Sequence, residues 1–307
     1  MTPMTRLPNS GASTKSTGMS PPHLALILFI TLVWGFNYVA GKAGVNELPP
    51  ILFTGLRFFL LSVLLFPLLK LHRGQMRAIV IISLTMGGLH FSIFYMGLAA
   101  AHDVSTVAIA SQLGVPFATI MSIVFLKEKV HWKRWTGISA SFAGVMIIGF
   151  DLVVFQYLNG LVLVILAALV GSVAMIYMRR LEGVGVFELQ AWIAVLSWPL
   201  LIPLSLLMEN GQLAAVSQAS WAAWGGVLYT VFGTSLTGHA GMYYLLQRYE
   251  VTQTAPLTLL SPVWGVIFGV TLLGDTITPR IILGGAITLI GVAIVSSRQR
   301  ILVDTGG

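Results

Sequence analysis

The sequence has no cysteine and little charge. Without cysteine there is no disulfide framework and no thiolate-held metal centre. Asp, Glu, Lys and Arg make up only 9% of the 307 residues, where soluble globular chains carry about 25%. A soluble fold of this length could not cover its surface with so few. Acids are the scarcest group, 10 against 17 Lys plus Arg, and every one falls at the end of an apolar run or between runs. Acids buried in mid-membrane usually mark proton or sodium paths. Their absence argues against a carboxylate relay and against a pocket for cationic compounds. Catalytic signatures are missing too. No His is followed by Glu, so zinc chemistry of the HExxH kind is excluded, and there is no G-x-S-x-G nucleophile turn. Gly35 to Lys42 imitates a phosphate loop but has five intervening residues and Ala43 where Ser or Thr belongs. Gly183-Val184-Gly185 opens a dinucleotide-like run that meets Glu188 at its third glycine position. The sequence therefore reads as a non-enzyme with no cofactor and no metal site.

What is present is apolar: 56% of residues are hydrophobic and mean hydropathy is +0.89. That composition, with no Gly-X-Y period, excludes disorder and collagen-like fibre and leaves an all-α polytopic membrane protein whose main partner is the lipid bilayer. The pI of about 9.9 does not point to nucleic acid, because the basic residues punctuate apolar segments instead of forming a patch. Charge-free runs predict ten transmembrane helices at about 23–41, 50–69, 78–98, 104–126, 133–150, 159–178, 187–207, 221–247, 253–273 and 280–297. An outer-membrane barrel is excluded, since its strands alternate apolar and polar residues. Ten spans put both termini on one face. That face collects every Lys and Arg except Lys42, Arg280 and the intrahelical Arg57, which makes it cytoplasmic by the positive-inside rule. The reading is a multi-pass protein of the cytoplasmic (inner) membrane. Residues 1–22, rich in Ser, Thr, Pro and Gly, form a disordered tail, and 298–307 form a second tail.

The remaining chain divides into 23–150 and 151–297. Glu128, Gly137 and Gly144 recur as Asp275, Gly284 and Gly291, and Asp103-Val104 recurs as Glu250-Val251, each 147 residues later; Pro116 matches Pro262 with one residue skipped. Each half holds five spans, an odd number, so the second copy is inverted in the membrane. Inverted repeats with a midplane site characterise secondary transporters.

With Trp34-Gly35, Pro50, Arg57-Phe58 and the two acid-to-glycine blocks, the chain resembles the drug/metabolite transporter superfamily, EamA type, from about 23 to 297. Within it, the chain is similar to YddG-type aromatic amino acid exporters. Asp275 stands where that pattern favours Glu. The resemblance implies two five-helix halves, with helices 1, 3, 4, 6, 8 and 9 around a central cavity. It also implies export of amino acids or related small metabolites by alternating access. An enzyme or lipid-modifying protein working in the same cavity is the alternative.

Polar and aromatic residues buried in the spans are the candidate substrate contacts. Trp34, Asn37 and Tyr38 lie within a helical turn of each other in helix 1. His90 with Phe94 in helix 3, and His239 with Tyr243 in helix 8, repeat one i, i+4 pairing. Each His is either a cavity wall or a packing residue; if it titrates, it couples transport to protons. Gln112 in helix 4 and Trp264 in helix 9, at three-residue steps from Thr258 and Ser261, complete the set. Pro116 and Pro262 remove backbone donors and bend helices 4 and 9, with or without gating. Arg57, about 10 Å into helix 2 by rise per residue, is either an anion contact or a structural lock onto carbonyls or an interfacial acid. The small-residue ridges Gly137, Ser141, Gly144 and Gly284, Thr288, Gly291 pack either within one chain or between the copies of a homodimer.

Overall fold

The computed structural model describes residues 19–127, 131–178, 180–246, 248–249, 254 and 257–296, without the side chains of residues 126, 243 and 246. Glu128 and Glu250-Val251 of the repeat, most of the amino-terminal tail and the carboxyl-terminal tail lie outside the described residues. Within them the chain is helical throughout, with no strand. Seven helices are long and apolar enough to cross a bilayer. They are α1 (Pro21–Val45), α2 (Pro50–Leu68), α3 (Met76–Ala100), α4 (Val104–Phe125), α6 (Leu158–Met178), α7 (Val186–Met208) and α10 (Pro279–Ser296). Between them lie α5 (Trp132–Gly149), α8 (Trp221–Tyr229, Thr230–His239 and Ala240–Leu246 in succession) and the shorter apolar α9 (Leu260–Leu273). Helix α5 opens with Trp132-Lys133-Arg134, and the middle of α8 is built from Thr, Ser and Gly, so both are less apolar.

Besides Gly269–Leu273 in α9, Ser83–His90 in α3 and Thr230–His239 in α8 are π-helical, and each of these two ends at a histidine. Both carry paired glycines, Gly87-Gly88 and Gly233 with Gly238. In α8 the wider turn is tied by side chains reaching five residues back, Ser235 Oγ to the Thr230 carbonyl at 2.9 Å and Thr237 Oγ1 to the Phe232 carbonyl at 2.8 Å. Wide turns of this kind rotate the side chains beyond them and cluster at functional sites.

At one end of the bundle the acids cap helix starts on other elements. Glu209 accepts from the Ile51 and Leu52 N–H groups at 2.8 and 3.0 Å, which are orphan donors at the start of α2. Asp275 accepts from Ser105 N and Oγ at 2.7 and 2.6 Å, and Asp151 accepts from Thr278 Oγ1 at 2.6 Å. Lys42 Nζ donates to the carbonyls of Leu98, Ala99 and Ala101 at 2.9, 3.3 and 2.7 Å. At the same end Glu47 accepts from both Ser220 N and Oγ at 2.6 Å. The Ser220 hydroxyl, and after it the Ser220 N–H, hold the Glu47 carboxyl below the usual glutamate range. A carboxyl whose pKa is depressed on folding stabilises the fold above its unfolded value, near 4.3, and that contribution disappears as pH falls through the folded value. Thermal melts between about pH 5 and about pH 3 should therefore show a smaller acid-induced loss for Glu47→Gln than for wild type.

Candidate functional site

The bundle holds an open-mouthed cavity of about 360 Å³ lined mainly by residues of α1, α3, α4, α8 and α9. From α1 come Trp34, Asn37 and Tyr38, from α3 His90, Phe91 and Phe94, and from α4 Ser111 and Gln112. Helix α8 adds Thr234 and His239, α9 adds Ser261, and Thr258 joins from the segment just before α9. Seven of the residues expected from sequence thus share one wall system: Trp34, Asn37, Tyr38, His90, Phe94, Gln112 and His239. Helix α6 contributes no lining residue to it.

Close helix approach makes this geometry possible. A Cβ on Gly35 would overlap Trp264 and lie 2.9 Å from the Ser261 carbonyl, so glycine lets α1 and α9 touch there. Gly171 leaves room for the His90 ring, where a Cβ would sit 2.7 Å from Nδ1. His90 Nδ1 then donates to the Ala167 carbonyl at 2.7 Å, which fixes the tautomer with Nε2 free of the proton in the neutral ring. The His90 ring stacks on Phe94, with centroids 6.3 Å apart and planes at 23°. Ser111 Oγ donates to the Ala108 carbonyl at 2.9 Å, so the 2.8 Å bond between Tyr38 and Ser111 has the phenol as donor. Asn37 Oδ1 accepts from Thr234 Oγ1 at 2.8 Å, leaving the Asn37 amide N–H groups unused by that bond. Trp34 and His239 face each other with ring centroids 5.7 Å apart. Trp34 Nε1 is buried without a hydrogen-bond partner among the described residues, a donor that water or a ligand would satisfy.

Trp264 does not bound the cavity. Its ring stacks on Phe268, with centroids 6.1 Å apart and planes at 25°, and its Cβ packs on Gly35. Thr258 and Ser261 line the cavity from either side of the turn at Leu259, whereas Trp264, three residues on from Ser261 in the same helix, is held at the α1 contact instead. The side chain of Tyr243 lies outside the described residues. Pro116 is the third residue of the stretch Gly114–Leu126, which follows one 3₁₀ turn at Ser111–Leu113. Pro262 is likewise the third residue of Leu260–Phe268. Pro116 thus lies inside α4 just after its 3₁₀ turn, and Pro262 lies near the start of α9 just after the turn at Leu259, so each removes a backbone donor beside a local departure from α geometry. Phe91 and Thr234 were missed from sequence. Phe91 lies one position off the face that His90 shares with Phe94, and Thr234 sits in a Ser/Thr/Gly run whose π geometry has no sequence period.

A second cavity, about 310 Å³, lies beside the first and shares Phe91 and His239 with it. Arg57 lines it and is 1% exposed. Its Nη1 donates to Tyr95 Oη at 3.1 Å and its Nη2 to Ser235 Oγ at 3.2 Å. The guanidinium carbon stands 4.2 Å from the Phe91 ring centroid, a cation–π geometry. Among the described residues these partners are neutral hydroxyls and a ring, with no backbone carbonyl and no acid.

The sequence profile of the EamA-like transporter family matches residues 22–150 and again 158–297. The chain belongs to the EamA-like transporter family. Curated relatives agree. An uncharacterized transporter of Bacillus subtilis, YoaV, is 26% identical over 280 residues, covering 87% of this chain and 94% of the relative. A probable amino-acid metabolite efflux pump of Salmonella typhimurium is 25% identical over 282 residues, covering 88% and 93%. One solved structure matches with a TM-score of 0.57 at 16% identity over 90% of this chain and 96% of the other, which is a likeness of fold. This EamA-like chain is accordingly a multi-pass membrane transporter that acts on a small molecule from within a bilayer.

Proposed function

We propose that the chain is a secondary transporter that exports amino acids, aromatic ones among them, or related small metabolites across the cytoplasmic membrane by alternating access between two inverted five-helix halves. The observation that carries this reading is the central cavity, walled by α1, α3 and α4 of one half and α8 and α9 of the other. The family profile matching twice supports a duplicated architecture. The contact between α5 and α10 supports its inversion. Gly137 meets the Gly291 carbonyl, Gly144 meets the Gly284 carbonyl, and Ser141 faces Thr288, its own counterpart 147 residues on. Such reciprocal pairing is what a two-fold axis lying in the membrane plane generates. The matched π segments of α3 and α8 and the matched positions of Pro116 and Pro262 fit the same axis.

The chemistry of the walls favours an aromatic or apolar zwitterion. Trp34, Phe91 and Phe94 offer faces for stacking, and Asn37 and Gln112 offer amide donors and acceptors. The hydrogen-bonded ties at the Lys42 and Asp275 end close that side, and positive-inside reasoning makes the opposite side cytoplasmic. The one acid within the described spans, Glu188, sits in the first turn of α7 and pairs with Lys70 at 2.6 Å; with no acid deeper in a described span, the substrate's own gradient drives transport. The test is counterflow in proteoliposomes. L-Phenylalanine should exchange, and a pH gradient should leave the rate unchanged. His239→Ala and Asn37→Leu should each slow exchange by about tenfold, the effect of losing about 1.4 kcal/mol of binding. Absence of exchange for a panel of amino acids, or strong acceleration by the pH gradient, defeats this reading.

A further inference from the structure

We propose that the second cavity is a recognition site for amphipathic monocarboxylates, with Arg57 holding the carboxylate. A guanidinium keeps its proton at any physiological pH, and burying an unpaired cation in a membrane protein is costly. Arg57 is 1% exposed, and no Asp or Glu lies within 4.0 Å of it among the described residues. Its hydrogen bonds to Tyr95 and Ser235 go to hydroxyls, which share the charge without neutralising it. Of the five N–H groups of the fork, the one on Nε is buried with no partner among the described residues. The Nε and Nη edge of an arginine is the edge that grips a carboxylate through two parallel bonds. The site is therefore one negative charge short.

The rest of the cavity indicates what the anion is attached to. Leu61, Met86, Met178 and Ile193 give it an apolar wall, and methionine adapts to bodies of varied shape. Gln190 supplies one further polar group, with both amide atoms buried and unpaired among the described residues. A multiply charged anion such as a phosphate ester would leave most of its oxygens against methyl and methylene groups. A single carboxylate on an apolar body, with one group near Gln190 that both donates and accepts, satisfies the orphaned atoms of Arg57 and Gln190. Because Phe91 and His239 wall both cavities, an occupant here sits next to the central chamber. Binding at Arg57 stands apart from the transport reading; only the passage of a bound carboxylate across the membrane rests on it.

Binding is measured by calorimetry on the full chain in phosphatidylcholine nanodiscs, which hold no anionic headgroup to compete. The probes are 3-phenylpropanoate and its uncharged amide. Wild type should prefer the acid by about tenfold or more, the discrimination expected of a charge-assisted bidentate contact. Arg57→Gln should bring the acid down to the level of the amide, and Arg57→Lys should keep part of the preference. Met178→Trp fills the apolar end, leaves the guanidinium in place, and should weaken the acid as well; it decides the matter should Arg57→Gln fail to fold. Equal binding of acid and amide to wild type overturns the assignment, as does an unchanged acid affinity in Met178→Trp. Arg57-dependent binding without flux in proteoliposomes removes the transport reading and leaves this site. Flux with no acid preference does the reverse.

Discussion

A Gly144→Val protein will melt well below wild type. A Cβ at this position would fall on the Gly284 carbonyl and Thr288 Oγ1, and would stand 2.6 Å from the Thr288 backbone nitrogen. Two of these three obstacles are backbone atoms of α10, so no rotamer change relieves the clash and the helices must separate. The same crossing holds Gly291, whose Cβ would lie 2.6 Å from the Gly137 carbonyl. Separation would also cost the contacts around Ser141 and Thr288, both fully buried. Overpacking of a close-packed core costs about 1–3 kcal/mol where side chains can yield, and a backbone obstacle puts this case at the upper end or beyond. At about 2–4 °C per kcal/mol for larger domains, the melting temperature should fall by roughly 6 °C or more. Gly225→Ala is the control. It lies within Trp221–Tyr229 with nothing near its added methyl, and alanine gains up to about 1 kcal/mol of helix propensity over glycine. Equal melting of Gly144→Val and wild type in detergent would mean that the α5–α10 crossing is not a fixed part of the fold.

That crossing also shows how far the sequence could be read. Small residues at four-residue steps announce a close approach, but they do not say which surface approaches. The structure turns the two ridges toward each other within one chain. In α1, Trp34, Asn37 and Tyr38 were legible because a regular helix puts residues three and four apart on one face. In α9 the same stepping reached Ser261 but not Trp264, whose Cβ packs against Gly35 where α1 and α9 touch. The π segments left no trace in hydropathy, and their Gly, Ser and Thr content reads equally as loop. Capping was illegible for a different reason. Glu209 and Ile51 are 158 residues apart, and nothing local to either residue names the other. Arg57 was readable as a buried cation, but whether it had a counter-charge depended on packing among α2, α3 and α8 that no single segment encodes.

The second large effect concerns Lys42: in the alternating-access cycle proposed above, its neutral variant should unlock the end of the bundle where α1 meets α3. Its ammonium has three N–H groups, and all three reach carbonyls at the end of α3, those of Leu98, Ala99 and Ala101. These are orphan acceptors that a helix end cannot satisfy internally, and a cation there also suits the helix dipole. Lys42 follows Tyr38 by one turn on α1, so it ties α1 to α3 directly beyond the Tyr38–Ser111 bond that lines the cavity. Asp275 makes the matching tie between α9 and Ser105 of α4. Hydrogen bonds to a charged group are worth about 1.5–3 kcal/mol each when made. Lys42→Met keeps the apolar stem and removes all three, so closure should lose at least about 1.4 kcal/mol, a tenfold shift toward the open form. The absence of cysteine gives a clean reporter background. Ala108→Cys places one thiol at a position that is 0% exposed, and its reaction with a membrane-impermeant methanethiosulfonate reads opening. In the Lys42→Met background that reaction should run about tenfold faster or more, and in Lys42→Arg, which keeps the charge, it should stay near the reporter's own rate. An unchanged rate in Lys42→Met would mean that the carbonyl tie is not what holds this end shut, and closure would then fall to Asp275 and the packing of Tyr38.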